Sequence, residues 1–167
     1  AYASDELAHS VTQFVEAADI EFLYVYGDPG TGKSHLLLAM AEALQQSGQS
    51  VRYVSLAELR VMTPTMLSEL QGADVTCLDD LDAIVGDRAW EEALFHCFNQ
   101  IRVRGGRMVV ASLDVPSRLP LSLPDLQSRL GSGLIYGLNL QDDDLKAQAL
   151  MKQAQSRGLT LADDICR

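Results

Sequence analysis

The sequence predicts an α/β protein with a mostly parallel, five-stranded sheet and helices on both of its faces. Five short apolar or β-branched runs are spaced along the chain, helix-like segments separate most of them, and the runs are apolar almost throughout. Strands that alternate with helices form crossover units with parallel strands, and parallel strands are buried on both faces. The predicted strands are 22–26, 51–54, 75–78, 108–111 and 134–138.

The helices that join these strands are predicted from their apolar patterns. Residues 33–46 contain a stretch that is apolar nearly all round, which is typical of a helix packed against a sheet. Apolar residues recur at helical spacing from Trp90 to Ile101, so this segment presents one buried face. Two short helices, 56–59 and 64–70, account for the connection between the second and third strands.

We expect two domains. Residues 1–140 contain all five predicted strands, and residues 141–167 begin a small helical lid. Three consecutive aspartates cap a helix over 145–157 and complement its dipole, and Gly158 ends it. The final residues begin another helix, so we expect the chain to be part of a longer protein with a truncated lid.

Charge and composition exclude several functions. The 167 residues carry a formal net charge of −10, which argues against strong direct DNA binding but leaves room for a local nucleotide site. No apolar run approaches the ~18 residues that span a bilayer, so a membrane is not an expected partner. The three cysteines form no C-x-x-C pair, and the N-terminus has no signal-peptide pattern. These features favour a reducing, cytoplasmic location.

The most specific motif is GDPGTGKS at 27–34, which fits the phosphate-loop pattern G-x-x-x-x-G-K-[ST] between a strand and a helix. Backbone N–H groups and the helix N-terminus can surround a phosphate chain. Lys33 is expected to bind the β- and γ-phosphates, and Ser34 to bind Mg²⁺. The alternative for the whole loop is a glycine-rich turn with a solvated lysine. The alternative for His35 is a side chain that packs in the first helical turn. The predicted nucleotide contacts in this loop are Asp28, Pro29, Gly30, Thr31, Gly32, Lys33, Ser34 and His35.

Two acidic residues, Asp79 and Asp80, follow a buried predicted strand in the sequence VTCLDDLD. Ligands bind beyond the carboxyl ends of strands in open α/β sheets. Asp79 is therefore expected to hold Mg²⁺ through water, and Asp80 to polarise the attacking water. The alternative is a pair of loop acids that cap the next turn. Asp82 and Asp87 are interpreted as solvated loop acids.

These motifs together resemble AAA+ ATPases of the DnaA branch. Within that branch, GDRAWEEALFHCFNQIRVRGGR, SLPDLQSRLGSGLIYGL and DDDLKAQALMKQAQSRGLTL are similar to the regulatory inactivators of DnaA, the Hda family. The resemblance covers nearly the whole chain. It implies a P-loop AAA+ fold, ADP or ATP with Mg²⁺ as the ligand, and a DnaA-type initiator as the partner.

The resemblance also assigns roles to individual residues. Arg129, in LQSRL, occupies the position of an arginine finger that acts on the ATP of a neighbouring subunit, where a planar cation stabilises γ-phosphate charge. The alternative is a surface arginine paired with Asp125, and Arg118 is a competing finger candidate. Tyr2 would contact the adenine, unless the N-terminus is frayed.

We therefore expect a regulator that stimulates ATP hydrolysis by the initiator. Its own hydrolysis is expected to be slow or absent, because Leu113 stands where relatives carry a polar sensor residue. The resemblance implies binding to the replication sliding clamp through a short peptide. No such peptide precedes residue 1 here, so either it lies outside this sequence or the protein works without a clamp. A finger in trans allows a homo-oligomer. The alternatives are the AAA+ domain of a DnaA-type initiator and an ATP-driven helicase loader. The basic residues Arg102, Arg104 and Arg107 are interpreted as a solvated turn.

Overall fold

A parallel sheet of five strands forms the centre of the part of the chain that the structure describes. The computed structural model describes residues 9, 11–16, 20–30 and 32–138. Tyr2, Thr31 and the predicted lid at 141–167 lie outside these described residues. The strand order across the sheet is β2-β3-β4-β1-β5. The strands are β1 (Phe22–Tyr26), β2 (Val51–Ser55), β3 (Val75–Asp79), β4 (Arg107–Ser112) and β5 (Leu134–Gly137).

Helices connect these strands, as the α/β interpretation requires. Helix α1 is described over 11–16, and the others are α2 (Lys33–Gln46), α3 (Leu56–Leu59), α4 (Arg88–Val103) and α5 (Pro124–Leu130). Short 3₁₀ segments cover Pro64–Gly72, Leu81–Ile84 and Pro116–Arg118. In this part of the chain, no helix combines the length and the apolar character needed to cross a membrane.

The predicted fold class is confirmed, and each predicted strand is present to within one residue at either end. The segment predicted as a second short helix, 64–70, is instead a 3₁₀ segment. Its first residue is Pro64, which supplies no backbone N–H but has the φ angle of a helical turn. Since 3₁₀ turns also repeat apolar residues every three positions, the sequence pattern does not distinguish them from a short α-helix.

Two apolar cores lie on opposite faces of the sheet. On one face, α1 and α2 cover alternate residues of the central strands, including Leu23, Val25 and Val109. On the other face, α3, α4 and α5 cover the intervening residues, including Tyr24 and Val110. Successive strand residues thus point into different cores, and this explains why the strand sequences are apolar without alternation.

The parallel arrangement gives the sheet two unlike edges. The register aligns Tyr26 of β1 with Ser112 of β4, and Ser55 of β2 with Asp79 of β3. All strands therefore end on the same side of the sheet, which we call the carboxyl edge. The opposite side, where the strands begin, is the amino edge, and Phe22 lies on it.

The basic residues near the turn before β4 do not form a solvated cluster. Arg102 is exposed, but Arg107 is only 5% exposed, and its guanidinium donates to the carbonyl oxygens of Phe14 at 2.8 Å and Ile20 at 3.2 Å. The guanidinium carbon also lies 4.1 Å from the centre of the Phe14 ring. The solvated interpretation was thus wrong for Arg107, which ties α1 to the sheet. The sequence gives no indication of this contact, because its partners are far along the chain.

Candidate nucleotide-binding site

The phosphate loop follows β1 at the carboxyl edge. Its first residue, Gly27, donates its backbone N–H to the carbonyl oxygen of Ser112 at 3.2 Å, which attaches the loop to the end of β4. Gly30 and Gly32 have φ angles of +84° and +85°, a region that side chains with a Cβ rarely adopt. These glycines allow the loop to turn directly into α2.

The start of α2 supplies backbone donors to the loop. The first intrahelical bond joins the Leu36 N–H to the Gly32 carbonyl oxygen at 2.9 Å, and none of the described side chains caps this helix. The N–H groups of the three preceding residues therefore have no partner within the helix. Together with the positive end of the helix dipole, they form an environment suited to a phosphate group.

Lys33 is the central cation of the loop. Its ammonium donates to the carbonyl oxygens of Gly27 at 2.6 Å and Asp28 at 3.0 Å, so the side chain folds back across the loop. Among the described residues of the loop and the first turn of α2, the exposed ones are Asp28, Pro29, Gly30, Ser34 and His35. The exposure of His35 does not agree with the alternative in which it packs in the first helical turn.

Asp79 ends β3 and is 1% exposed. Its carboxylate accepts hydrogen bonds from the Tyr53 hydroxyl at 2.5 Å and from the backbone N–H of Asp80 at 2.9 Å. Burial raises the pKa of Tyr53, and the bond to Asp79 raises it further. The phenol therefore remains a donor to this carboxylate. The contact holds Asp79 in one orientation beside the phosphate loop.

Asp80 has an unusual backbone conformation, with φ = 57° and ψ = 45°. Asn and Asp tolerate this left-handed region better than other residues with a Cβ. Its carboxylate is half-buried and accepts a hydrogen bond from the Ser55 hydroxyl at 2.7 Å. The two acids thus diverge: Tyr53 of β2 holds Asp79, and Ser55 of β2 holds Asp80.

The side chains of Ser34 and Asp79 fit a magnesium ion. Both lie next to the Tyr53 hydroxyl, so the serine oxygen and the buried carboxylate converge from two different elements. Mg²⁺ prefers oxygen ligands and keeps several waters when it binds with nucleotide phosphates. Within the described residues there is no cluster of three or more His, Cys, Asp or Glu side chains that could hold a metal. The ion would therefore depend on phosphate and water oxygens as well.

Three residues of this site were missed by sequence analysis. Tyr53 and Ser55 are invisible to motif searches, because they act only through the parallel pairing of β2 with β3. Asp82 was interpreted as a solvated loop acid, but it is half-buried, and burial raises the pKa of its carboxyl group. Lys33, Asp79 and Asp80 are close enough to influence Asp82 electrostatically. Ser55 could have been found from the sequence only as a polar residue at the end of a predicted apolar strand next to the strand that ends in Asp79.

The segment after β4 begins with Leu113, the residue that the resemblance places at the sensor position. Leu113 is exposed, whereas the preceding Ser112 is fully buried at the strand end. The carboxylate of Asp114 accepts a hydrogen bond from the Val115 N–H at 2.8 Å, and its backbone carbonyl accepts one from the Tyr24 hydroxyl at 2.7 Å. Asp114 thus organises its own loop.

Arg129 lies far from the phosphate loop. It lines a cavity of about 490 Å³ at the amino edge, together with Phe22, Met108 and Leu134 from the starts of three strands. Its guanidinium carbon lies 5.7 Å from the centre of the Phe95 ring on α4. The alternative pairing with Asp125 is not formed, since the two salt bridges found among the described residues involve other side chains.

Arg118, the competing finger candidate, occupies a different place. It lies at the end of the 3₁₀ segment Pro116–Arg118, and its guanidinium is 3.9 Å from the carboxylate of Asp114. Its side chain is largely exposed. Arg118 therefore has an acidic partner within its own loop, whereas Arg129 rests on an aromatic ring.

Several known proteins are similar to this chain. An uncharacterized protein from Haemophilus influenzae is 38% identical over 144 residues, which are 86% of this chain and 62% of that protein. Domain III of DnaA from Thermotoga maritima has a TM-score of 0.72 and 20% identity, covering 98% of this chain and 74% of that one. AMPPCP-bound DnaA from Aquifex aeolicus has a TM-score of 0.71 and 24% identity, covering 96% of this chain and 54% of that one.

A protein-family profile also matches this chain. The chain spans less than two thirds of the Haemophilus protein, and the similarity to the DnaA structures shows the fold. The profile of the bacterial DnaA ATPase domain matches residues 2–141, which contain the phosphate loop, the acidic strand end and the helix that carries Arg129. This chain therefore belongs to the bacterial DnaA ATPase domain family.

Proposed function

We propose that this chain is a nucleotide-binding AAA+ regulator of replication initiation, of the type represented by the Hda family. It binds ADP or ATP with Mg²⁺ at Lys33, Ser34 and Asp79. It docks on an ATP-bound DnaA-type initiator and presents Arg129 to the ATP of that initiator. Hydrolysis then converts the initiator to its ADP form.

The position of Arg129 is the observation on which this proposal depends. Arg129 lies at the amino edge, whereas Lys33 and Asp79 lie at the carboxyl edge. The strands between them have four to six residues, and at ~3.3 Å per residue they separate these edges by more than 10 Å. An arginine at this distance is poorly placed to reach a phosphate in its own loop, so a neighbour's nucleotide is the better target.

Adenine nucleotide is the proposed ligand for two reasons. The loop offers helix N–H groups that have no partner within the helix, and the Lys33 ammonium, as a phosphate chain requires. Solved DnaA structures with this fold include complexes with AMPPCP, an ATP analogue. The contacts of Tyr2 and Thr31 with the nucleotide, which lie outside the described residues, are part of the proposal.

Slow turnover at the protein's own site is proposed from two side chains. Asp80 is held by Ser55 at 2.7 Å, so the carboxylate that would polarise water already has a hydrogen-bond partner. Leu113, at the sensor position, has no polar group to offer the γ-phosphate. A helicase loader that acts by its own hydrolysis would need both functions, and this is why the loader is the second choice.

An initiator is less favoured by the connection between β2 and β3. This connection contains only α3, of four residues, and the 3₁₀ segment Pro64–Gly72, which leaves no room for a long inserted helix. The basic residues before β4 do not present a joint surface, because Arg107 is buried against α1. With a net charge of −10, this supports a protein without strong direct DNA binding.

The remaining parts of the proposal concern location and assembly. The protein acts in the cytoplasm, where replication is controlled, and the full-length form contacts the sliding clamp through a segment outside this sequence. A finger that acts in trans gives a head-to-tail contact, and the same contact between copies of this chain would form a homo-oligomer.

Phosphate release from an initiator preloaded with labelled ATP tests this proposal. The protein would be added in its full-length form, with and without clamp loaded on DNA. We expect a large acceleration with the wild type and its loss with Arg129→Ala, since trans fingers contribute ~10³-fold or more. Arg102→Ala is the matched control, because Arg102 lines the same cavity but is not the proposed finger.

The outcomes separate the candidate functions. Equal acceleration by Arg129→Ala and the wild type would reject Arg129 as the finger. No acceleration of the initiator, together with steady release of phosphate from the protein's own ATP, would favour the loader or the initiator.

A further inference from the structure

Glu91 on α4 is a buried carboxylate, and the described part of the chain gives it no charged partner. Its exposed fraction is 0%, and the salt bridges found in the described ranges do not include it. Burying a carboxylate costs a large amount of free energy unless hydrogen bonds replace its water shell. The residue contacts neither the phosphate loop nor the acidic pair in the bonds described below, so its burial has a different structural role.

Five hydrogen-bond contacts from two separate loops surround this carboxylate. From the first loop, the Gly86 N–H donates to Oε2 at 2.6 Å. From the second loop, the Ser122 N–H lies 2.9 Å from Oε1 and 3.1 Å from Oε2, and the Ser122 hydroxyl donates to Oε2 at 3.0 Å. The Leu123 N–H donates to Oε1 at 2.8 Å. Glu91 therefore holds the two loops together at one point.

Each of these loops leads to a functional element. Gly86 follows the 3₁₀ segment Leu81–Ile84, which begins directly after Asp80. Ser122 and Leu123 immediately precede α5, the helix that carries Arg129. Glu91 thus joins the loop beyond the acidic pair to the segment that begins α5.

Helix α5 takes its position from tertiary contacts, and the bonds to Glu91 act there beside the buried Leu126 and Leu130. It has seven residues, no side-chain cap at Leu123, and a proline at its first position. A helix this short is not stable alone and takes its orientation from its surroundings. Arg129 lies six residues after Leu123, which is ~9 Å along a helix. A small change in the direction of the helix axis at Leu123 therefore produces a larger displacement of the Arg129 guanidinium.

The same helix that carries Glu91 also contacts the finger itself. Phe95 lies four residues after Glu91 on α4, so the two side chains share one helical face. Glu91 bonds the start of α5, and the Phe95 ring lies 5.7 Å from the guanidinium carbon near its end. Residues at both ends of α5 thus contact side chains of α4.

We propose that Glu91 is a positioning residue that sets the orientation of α5 and so aligns Arg129 with the nucleotide of a partner. This inference rests on the function proposed above, because it assumes that Arg129 acts in trans. Glu91 itself touches no reacting atom. Its effect is expected in the rate reached at saturation, while the concentration needed for docking changes little.

The variant Glu91→Gln tests this inference, with Glu92→Gln as its matched control. Glutamine keeps the shape of the side chain, but it replaces one acceptor oxygen by an NH₂ group that faces N–H donors. Glu92 is the next residue on α4, is exposed, and pairs with Arg88 at 3.2 Å. The control therefore removes the same charge from the same helix without disturbing either loop.

Amide hydrogen exchange provides a readout that is independent of activity. We expect the Gly86, Ser122 and Leu123 amides to exchange slowly in the wild type and in Glu92→Gln. In Glu91→Gln their exchange should be at least tenfold faster, while the strand amides of β1 and β4 keep their protection. Unchanged exchange at these three amides would overturn the inference.

Initiator ATP hydrolysis, measured over a range of regulator concentrations, provides the second readout. We expect Glu91→Gln to lower the saturating rate about 10- to 100-fold, since small misplacements of a catalytic group cost rates of this order, with a half-saturating concentration within about threefold of the wild type. In an Arg129→Ala background, Glu91→Gln should cause no further loss. A saturating rate equal to the wild type, or an equal loss in both backgrounds, would overturn the inference.

These measurements separate this inference from the proposed function. If Arg129→Ala abolishes stimulation but Glu91→Gln retains it fully, only the role of Glu91 is rejected. If the wild type does not stimulate the initiator, the proposed function fails, and the role of Glu91 fails with it. Should circular dichroism show that Glu91→Gln is unfolded, Ser122→Ala replaces it. This variant removes one contact from an exposed position, and a rate equal to the wild type would then reject the inference.

Discussion

Asp80 is the only non-glycine residue in the described ranges with a positive φ angle, at 57°. This backbone region costs most residues ~1 kcal/mol or more, whereas Asn and Asp adopt it with less strain. We therefore expect Asp80→Asn to keep the free energy of unfolding close to that of the wild type, and Asp80→Glu to lower it by about 1 kcal/mol. Urea unfolding of the two variants measures this difference, and equal stabilities would contradict it.

At the residue scale, the sequence indicates those site residues that belong to a contiguous motif. Lys33 and Ser34 were predicted from the phosphate loop, and Asp79 from the end of a strand. Their proposed ligands remain predictions. Tyr53 could not be recognised in this way, because its contact with Asp79 joins residues 26 positions apart. Glu91 and Ser122 are 31 positions apart, and only the folded chain brings them together.

At the scale of elements, α1 depends on Arg107. The guanidinium bonds the Phe14 and Ile20 carbonyl oxygens and stacks on the Phe14 ring, so it joins α1 to the start of β4. We expect Arg107→Met to lower the free energy of unfolding by about 3 kcal/mol, because buried acceptors lose a charged donor. Amide exchange over residues 11–16 should accelerate more than exchange in β1.

The control for this prediction is Arg102→Met, at an exposed position near the same turn. It should change stability by less than about 0.5 kcal/mol. If both variants were equally stable, the contact between Arg107 and α1 would contribute nothing. If Arg107→Met destabilised the whole chain without a selective effect on 11–16, the role assigned to α1 would be wrong.

Elements were predicted well where their apolar period is clear. Parallel strands buried on both faces give continuous apolar runs, and α4 gives a single apolar face, so both were located from the sequence alone. Element ends were harder, because hydrogen bonding decides them. The sequence pattern ended the third strand at residue 78, whereas β3 includes Asp79 through its pairing with Ser55.

At the scale of the whole molecule, the buried thiol of Cys97 is expected to make the free energy of unfolding fall as the pH becomes alkaline. Burial raises the pKa of Cys97 to about 11 from an ordinary value of 9.0. The unfolded chain therefore loses this proton first, so the contribution is complete below pH ~9 and is lost as the pH rises towards ~11. We expect the free energy of unfolding to fall over this range by up to ~1.4 kcal/mol per pH unit for this group.

Urea unfolding at several pH values measures this dependence. Cys97→Ala should show a shallower fall between pH 9 and 11 than the wild type. The loss of the sulfur also removes packing, which lowers the free energy of unfolding at every pH. The two proteins are therefore compared by how steeply this free energy falls with pH, and not by its absolute value. Identical slopes for the two proteins would show that Cys97 does not titrate in this range.

The two unlike edges of the sheet give the molecule a direction. The phosphate loop lies at one end and Arg129 at the other, so a contact that joins them cannot be symmetric. A molecule that acts on a partner through Arg129, as proposed, has its own nucleotide site facing away from that partner. Under the proposed function, each bound nucleotide of the partner is served by a single copy, and activity should decline in simple proportion when inactive copies compete for the same place. Under the proposed function, such a molecule is suited to be the terminal subunit of a head-to-tail row of subunits.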